Sequence, residues 1–118
     1  MAFFEKLLTS TDVDKRLSVP TRCLPYFEGL IEGSHAVDLK VEDEKGQLMT
    51  FCCTTRKKGY KKPVFTRGWS EYVRRKKLKV GDKIIFRQSE DGGSVYKIEA
   101  QRRIPILGRQ VWCNVSDA

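Results

Sequence analysis

The sequence has one histidine and no Cys-x-x-Cys pair, so it lacks the ligand spacings on which small zinc modules are built. Its cysteines, Cys23, Cys52, Cys53 and Cys113, are scattered, and Cys52 and Cys53, as neighbours on a strand, point to opposite faces and cannot easily share a metal. They read as reduced thiols, some buried as small hydrophobes, with no metal and no cofactor expected. No apolar run approaches the ~20 residues of a membrane-spanning helix, and no membrane contact is expected. The opening Met-Ala-Phe-Phe is interrupted at once by Glu5-Lys6, which is not the pattern of a secretory leader and points to an intracellular protein. The Asn114-Val115-Ser116 sequon then has no glycan to receive. Carboxylates at catalytic spacing are missing too. Asp12 and Asp14 beside Lys15 invite a nuclease reading, but no second carboxylate stands at a credible distance with a catalytic lysine, so no enzyme is expected.

What is present is a concentrated positive charge. The chain of 118 residues is 40% hydrophobic and 32% charged, the balance of one folded domain with a single core. Between Arg56 and Lys79 lie 11 Lys and Arg residues against one acid, Glu71. That segment carries +10 in a chain of net charge +8, leaving the remainder at −2. Charge gathered in this way attracts a polyanion. It falls in two runs, Arg56 to Lys62 and Arg74 to Lys77; the second also reads as the solvated face of a helix.

The pattern of apolar residues is mostly that of strands. Val37, Leu39 and Val41 alternate with Asp38, Lys40 and Glu42; Asp43 to Gly46 turns the chain, and Met49, Phe51 and Cys53 return on one face, which is a hairpin. Further strands are expected at Phe3 to Leu8, Leu17 to Pro20, Pro63 to Phe65, Lys83 to Gln88 and Ser94 to Gln101, the last two joined by a Glu90 to Gly93 turn. Thr9 to Arg16 reads as a polar loop, and Thr21 to Phe27 as a short helix burying Leu24, Tyr26 and Phe27, limited by Pro25. Trp69, Tyr72 and Val73 share one face of a helix at Gly68 to Lys76, with Glu71 early and Arg74 to Lys77 late, as the helix dipole prefers. The fold class expected is mainly β: about seven short strands in a closed or nearly closed antiparallel sheet, with two short α-helices plugging its ends. Residues 3–101 would form the domain and 102–118 a C-terminal extension, partly packed through Ile104, Ile106, Leu107, Val111 and Trp112 but kept irregular by Pro105 and Gly108.

These residues resemble a known family. Thr66-Arg67-Gly68-Trp69, Tyr72-Val73, Leu78-Lys79-Val80-Gly81-Asp82 and Ile85-Phe86 are similar, in order and spacing, to the T-K-G-W, F-V, L-x-x-G-D and hydrophobic-x-F sequence of the plant B3 DNA-binding domain. Phe4 to Val13 and Leu17-Ser18-Val19-Pro20 resemble its opening strand and loop and its strand ending in I-P, so the likeness covers roughly residues 3–101 and leans towards the RAV and LAV groups. The resemblance implies a seven-stranded open β-barrel with two short α-helices, a DNA-binding pseudobarrel that holds double-stranded DNA by the major groove between two arms, in a nuclear transcription factor. The first arm would be Ser10 to Arg16, with Lys15 and Arg16 as contacts. The second would be Thr54 to Lys62, with Arg56, Lys57, Lys58, Tyr60, Lys61 and Lys62, and Arg67 would be a weaker phosphate contact. This chain has Asp14 where the family usually has Gly, and neither Trp nor Asn in its second arm, so the family's target sequences do not transfer. Asn reads adenine and Arg reads guanine.

Other uses of the same features stay open at this point. A small barrel can bind single strands, but that requires aromatics interleaved with the cations, and here only Tyr60 fits. A barrel that binds nucleic acid without sequence preference and a protein-interaction module are the remaining alternatives, the latter with Arg74 to Lys79 serving as a nuclear import signal. Trp69, on the face of Tyr72 and Val73, is read as core rather than as a stacking platform. Activator or repressor action, target sequence and oligomeric state leave no signature in the chain.

Overall fold

The alternation that marks the central hairpin sets the register of the whole sheet. The computed structural model describes residues 2–27, 35–55, 62–89 and 95–115. Strands β3 (Ala36–Glu42) and β4 (Leu48–Thr54) pair antiparallel, with Val41 opposite Met49 and Leu39 opposite Phe51. The remaining strands are β1 (Ala2–Leu7), β2 (Leu17–Ser18), β5 (Val64–Phe65), β6 (Lys83–Gln88), β7 (Val95–Ile106) and β8 (Arg109–Asn114). Their order is β1-β6-β7-β3-β4-β5-β2, all neighbours antiparallel except β7 and β3, with β8 added to the outer half of β7. The seven-stranded open barrel expected from the sequence is therefore present, and β8 is an addition to it.

Inward positions of this curled sheet meet in a chain of aromatic rings. Phe51 lies 5.5 Å from Phe65 and 6.1 Å from Trp69, while Phe86 lies 5.1 Å from Phe65 and 5.5 Å from both Phe4 and Tyr96, ring centroid to centroid. Such pairs add to the area they bury. Helix α2 (Trp69–Lys76) covers one end through Trp69, Tyr72 and Val73, all buried. Phe27, at the end of a 3-10 turn over Thr21–Tyr26, enters the same core and meets Phe65 edge-on at 6.2 Å.

Three local expectations need correction. Thr9 to Arg16 is not only a loop: it contains the one-turn helix α1 (Ser10–Asp14), started by a capping box in which Thr9 and Asp12 bond each other's backbone N–H. Thr21 to Phe27 is a 3-10 rather than an α-helix, which suits a segment with Pro25 inside it. The tail after residue 101 is not irregular. It completes a β7–β8 hairpin closed by Leu107-Gly108, both at positive φ (49° and 80°), the conformation of a type I′ turn. Pro105 is harmless there. Counting back from a two-residue turn, the Pro105–Gln110 pair is one that exchanges no hydrogen bonds, and Val115 N–H donating to the Ala100 carbonyl at 2.9 Å fits that count. The Glu90 to Gly93 turn lies outside the described residues.

Leu107 is 99% exposed in a backbone conformation that asparagine tolerates far better, so it contributes strain and no packing. Leu107→Asn is expected to stabilise the protein by about 0.5–1 kcal/mol, read as a melting temperature raised by roughly 2–5 °C.

Candidate nucleic-acid interface

Strand alternation also builds the floor of a groove. Leu17, Phe65 and Cys53 stand side by side across β2, β5 and β4 and are all fully buried. One residue on, Ser18, Val64 and Thr54 form the next row and must face the other way, outward. With Thr11, Arg16, Thr55 and Lys62 they line an open groove of about 530 Å³. The first arm thus supplies one wall and the root of the second arm the other. Pro63 holds the two together, its carbonyl accepting from Val19 N–H at 3.0 Å.

One carboxylate fixes the first arm. Asp12 is buried; its Oδ2 accepts from Thr9 N–H at 2.9 Å, and its Oδ1 accepts from Ser18 N–H at 3.2 Å and from Lys6 Nζ at 3.0 Å. Lys6 Nζ also donates to the Ser18 carbonyl at 2.9 Å, so β1, α1 and β2 converge on one ion pair. Trp69 Nε1 donates to the Asp12 carbonyl at 2.7 Å, which ties α1 to α2. Burial pushes the Asp12 carboxyl up, but the hydrogen bonds from Thr9, Lys6 and Ser18 and the Lys6 charge outweigh it and hold the group below its ordinary range. Buried and held by three donors, Asp12 is a structural anchor, which answers the nuclease reading that its position beside Lys15 invited. Lys15 and Arg16 leave the end of α1 exposed, their N–H groups bonded to the Thr11 carbonyl.

Of the residues singled out from the sequence, Arg16 and Lys62 are brought together in the groove. Lys15 and Arg67 are exposed, but neither is among the described residues that line it. Arg67 sits in the turn before α2, where its carbonyl accepts from Cys52 N–H at 2.9 Å. Arg56, Lys57, Lys58, Tyr60 and Lys61 lie outside the described residues. Sequence reasoning missed the hydroxyls of Thr11, Ser18, Thr54 and Thr55. Their signal was parity: Ser18 and Thr54 each follow a core residue on a strand and so had to face outward.

The second basic run is not the uniform solvated face it resembles. Arg74 and Lys77 are exposed, but Arg75 pairs with the buried Asp43 at 3.0 Å and Lys76 is fully buried. Lys76 pairs with Glu44 and donates to the Val115 carbonyl at 3.3 Å, in a helix whose inner side is already taken by aromatic rings. Half of that run therefore holds the fold together. The cysteines are free thiols; burial pushes the Cys53 thiol up to about 12, the neighbouring Cys52 adding to it, which leaves it unreactive.

Comparison with known proteins agrees with this fold. Residues 3–103 match the family model of the B3 DNA binding domain. The B3 domain-containing protein At2g36080 of Arabidopsis thaliana is 35% identical over 111 residues, covering 86% of this chain and 44% of that protein. The B3 domain-containing protein Os02g0764100 of Oryza sativa subsp. japonica is 38% identical over 96 residues, covering 75% of this chain and 49% of its own. The B3 domain-containing transcription factor NGA4 of Arabidopsis thaliana is 33% identical over 87 residues, covering 70% of this chain and 25% of its own. The chain thus spans less than half the length of these relatives. Among solved structures, the Arabidopsis FUS3-DNA complex superposes with a TM-score of 0.72 at 21% identity, covering 86% of this chain and 98% of that one. The Arabidopsis thaliana protein At1g16640.1 does so at 0.60 and 22%, covering 82% and 86%. These last two likenesses are of fold.

Proposed function

The chain belongs to the B3 DNA-binding domain family, and from that premise we propose that it reads double-stranded DNA in the major groove as the sequence-specific module of a plant transcription factor. The observation that carries this is the groove in which Arg16 of the first arm and Lys62 of the second converge over a floor of hydroxyls. Cations at its mouth neutralise phosphates, and Thr11, Ser18, Thr54 and Thr55 are suited to bond phosphate or sugar oxygens, fixing register without reading sequence. Base reading falls to guanidinium groups, which pair with two acceptors of guanine at once; Arg16 and Arg56 are our candidates. Lys57, Lys58, Tyr60, Lys61 and Lys62 continue the second arm, with Lys15 and Arg67 as outer phosphate contacts.

Supporting this reading, one neighbour of similar fold is described as a DNA complex, and a relative is named a transcription factor. The family is a non-enzymatic binding fold. Nuclear location follows from the proposed role. Residues 3–101 would form the reading unit, with 102–118 an extension built onto it.

Selection from a randomised duplex pool tests the proposal. The wild type should enrich one motif. Arg16→Ala or Arg56→Ala should relax it at a single base, a loss of about 1–3 kcal/mol there, whereas Lys62→Ala should weaken all duplexes alike. A bound pool with no enriched motif would leave a non-specific DNA coat and contradict the proposal.

A further inference from the structure

The β7–β8 ribbon beyond the barrel is unused by the reading above, and the family match ends at residue 103. Its root is fixed: Arg102 grips Asp82 with two hydrogen bonds, of 3.0 and 2.8 Å, and Lys76 and the Ala100 carbonyl hold Val115. Beyond that root, β7 has only β8 beside it among the described residues, and β8 has only β7. By the hydrogen-bond count above, the N–H and C=O groups of Gln110, Trp112 and Asn114 point away from β7, along an open edge.

One face of this ribbon continues the row of core residues Ile98 and Ala100 as Ile104 and Ile106, with Val111 opposite Ile104. These side chains are 39%, 46% and 38% exposed. The ribbon's charge is one-sided as well: from Arg102 to Asn114 it holds three arginines and no carboxylate. Two copies meeting here would set arginines against arginines in chains already at +8, which disfavours a homodimer. Phosphate would suit the arginines but leave the aliphatic stripe unused. An extended segment carrying both aliphatic and acidic residues satisfies edge, stripe and charge together.

We propose that β8 accepts such a segment, from a partner protein, as an added strand. Its backbone pairs with Gln110, Trp112 and Asn114, its aliphatic side chains lie beside Ile104 and Val111, and its carboxylates, on the other face, lie near Arg103.

The test is to pan the full chain against phage-displayed random dodecapeptides and to follow the enriched peptides, once synthesised, by backbone amide shifts. Enrichment of aliphatic residues at alternate positions with Asp or Glu between them is expected, with shifts centred on Gln110, Trp112 and Asn114. Gln110→Pro removes one outward donor at a pair that makes no bond to β7, and Val111→Glu puts a carboxylate on the stripe. Each should weaken the peptides about tenfold or more while duplex binding and melting temperature stay unchanged. Absence of an acidic–aliphatic consensus, or peptides that bind both variants as well as wild type, would overturn the proposal. So would a dimer in sedimentation that Val111→Glu abolishes, which gives the surface to a second copy. Loss of duplex affinity in these variants would give it to DNA.

Discussion

Gly68→Ala is expected to cost about 4 kcal/mol and to lower the melting temperature by roughly 15 °C. Gly68 stands at the entrance to α2 with φ at 90°, a conformation that L side chains rarely adopt. A Cβ there would lie 2.0 Å from the Thr50 carbonyl oxygen and 3.1 Å from Phe51 Cδ1. The obstacle is backbone in the central hairpin, so neither side can yield without moving β4 or Trp69. Gly46 is the matched control. It has a similar φ of 83°, but a Cβ would meet nothing within 4 Å, so Gly46→Ala should cost only the conformational part, about 1 kcal/mol. Equal effects at the two glycines, read from urea unfolding, would mean that the approach of α2 to β4 is looser than described.

The second large effect is at Asp12. Asp12→Ala removes the Asp12 half of the α1 capping box, leaves the Thr9 and Ser18 N–H groups without their acceptor and deprives the Lys6 ammonium of its counter-charge. Each loss is worth about 1–3 kcal/mol; because Lys6 is partly solvated and the losses overlap, about 3 kcal/mol in all is expected. Asp12→Asn keeps an acceptor and should cost about half of that. The pH dependence separates the charge from the cap. Asp12 is held below its ordinary value in the folded protein, so its contribution is fully present above the unfolded carboxyl pKa of about 3.9. That contribution is lost as the pH falls through the lower folded value. Below about pH 4 the wild type should therefore lose stability more steeply than Asp12→Asn. Parallel curves would show that the carboxylate acts only as a neutral acceptor. Because Arg16 follows directly on this anchor, both variants should also weaken duplex binding.

The seven strands of the barrel body were legible because one face of each is buried, so the period-two pattern had to appear. The helix at Trp69 was legible for the same reason at its own period. Misreadings came where a local signal pointed one way and a distant contact the other. Pro105 and Gly108 suggested an irregular tail, yet a proline is tolerated where no strand needs its N–H, and the glycine makes the turn. Lys76 looked like part of a solvated run, but its partners Glu44 and Val115 are far away in sequence, and no helical pattern announces them. Thr9 and Asp12 do stand at capping-box spacing, so α1 could have been found; that Lys6, Ser18 and Trp69 would meet there could not. At the candidate site, charge marked Arg16 and Lys62, while the hydroxyls of Ser18 and Thr54 carry no charge and are marked only by strand parity.

The most direct measurement is the salt dependence of binding, by fluorescence anisotropy, to a labelled duplex and to one of its strands alone. If about six phosphates are neutralised, the duplex affinity should fall with a log–log slope of roughly −5 between about 50 and 200 mM salt, and the duplex should bind more tightly than the single strand. Lys62→Ala should reduce that slope by about one, because it removes one phosphate contact in the groove, whereas Arg16→Ala, which removes a base contact, should weaken the selected duplex with less change in slope. An unchanged slope in Lys62→Ala together with unchanged affinity in Arg16→Ala, a preference for the single strand, or no duplex binding at low salt would contradict the two-armed groove as the DNA-binding surface.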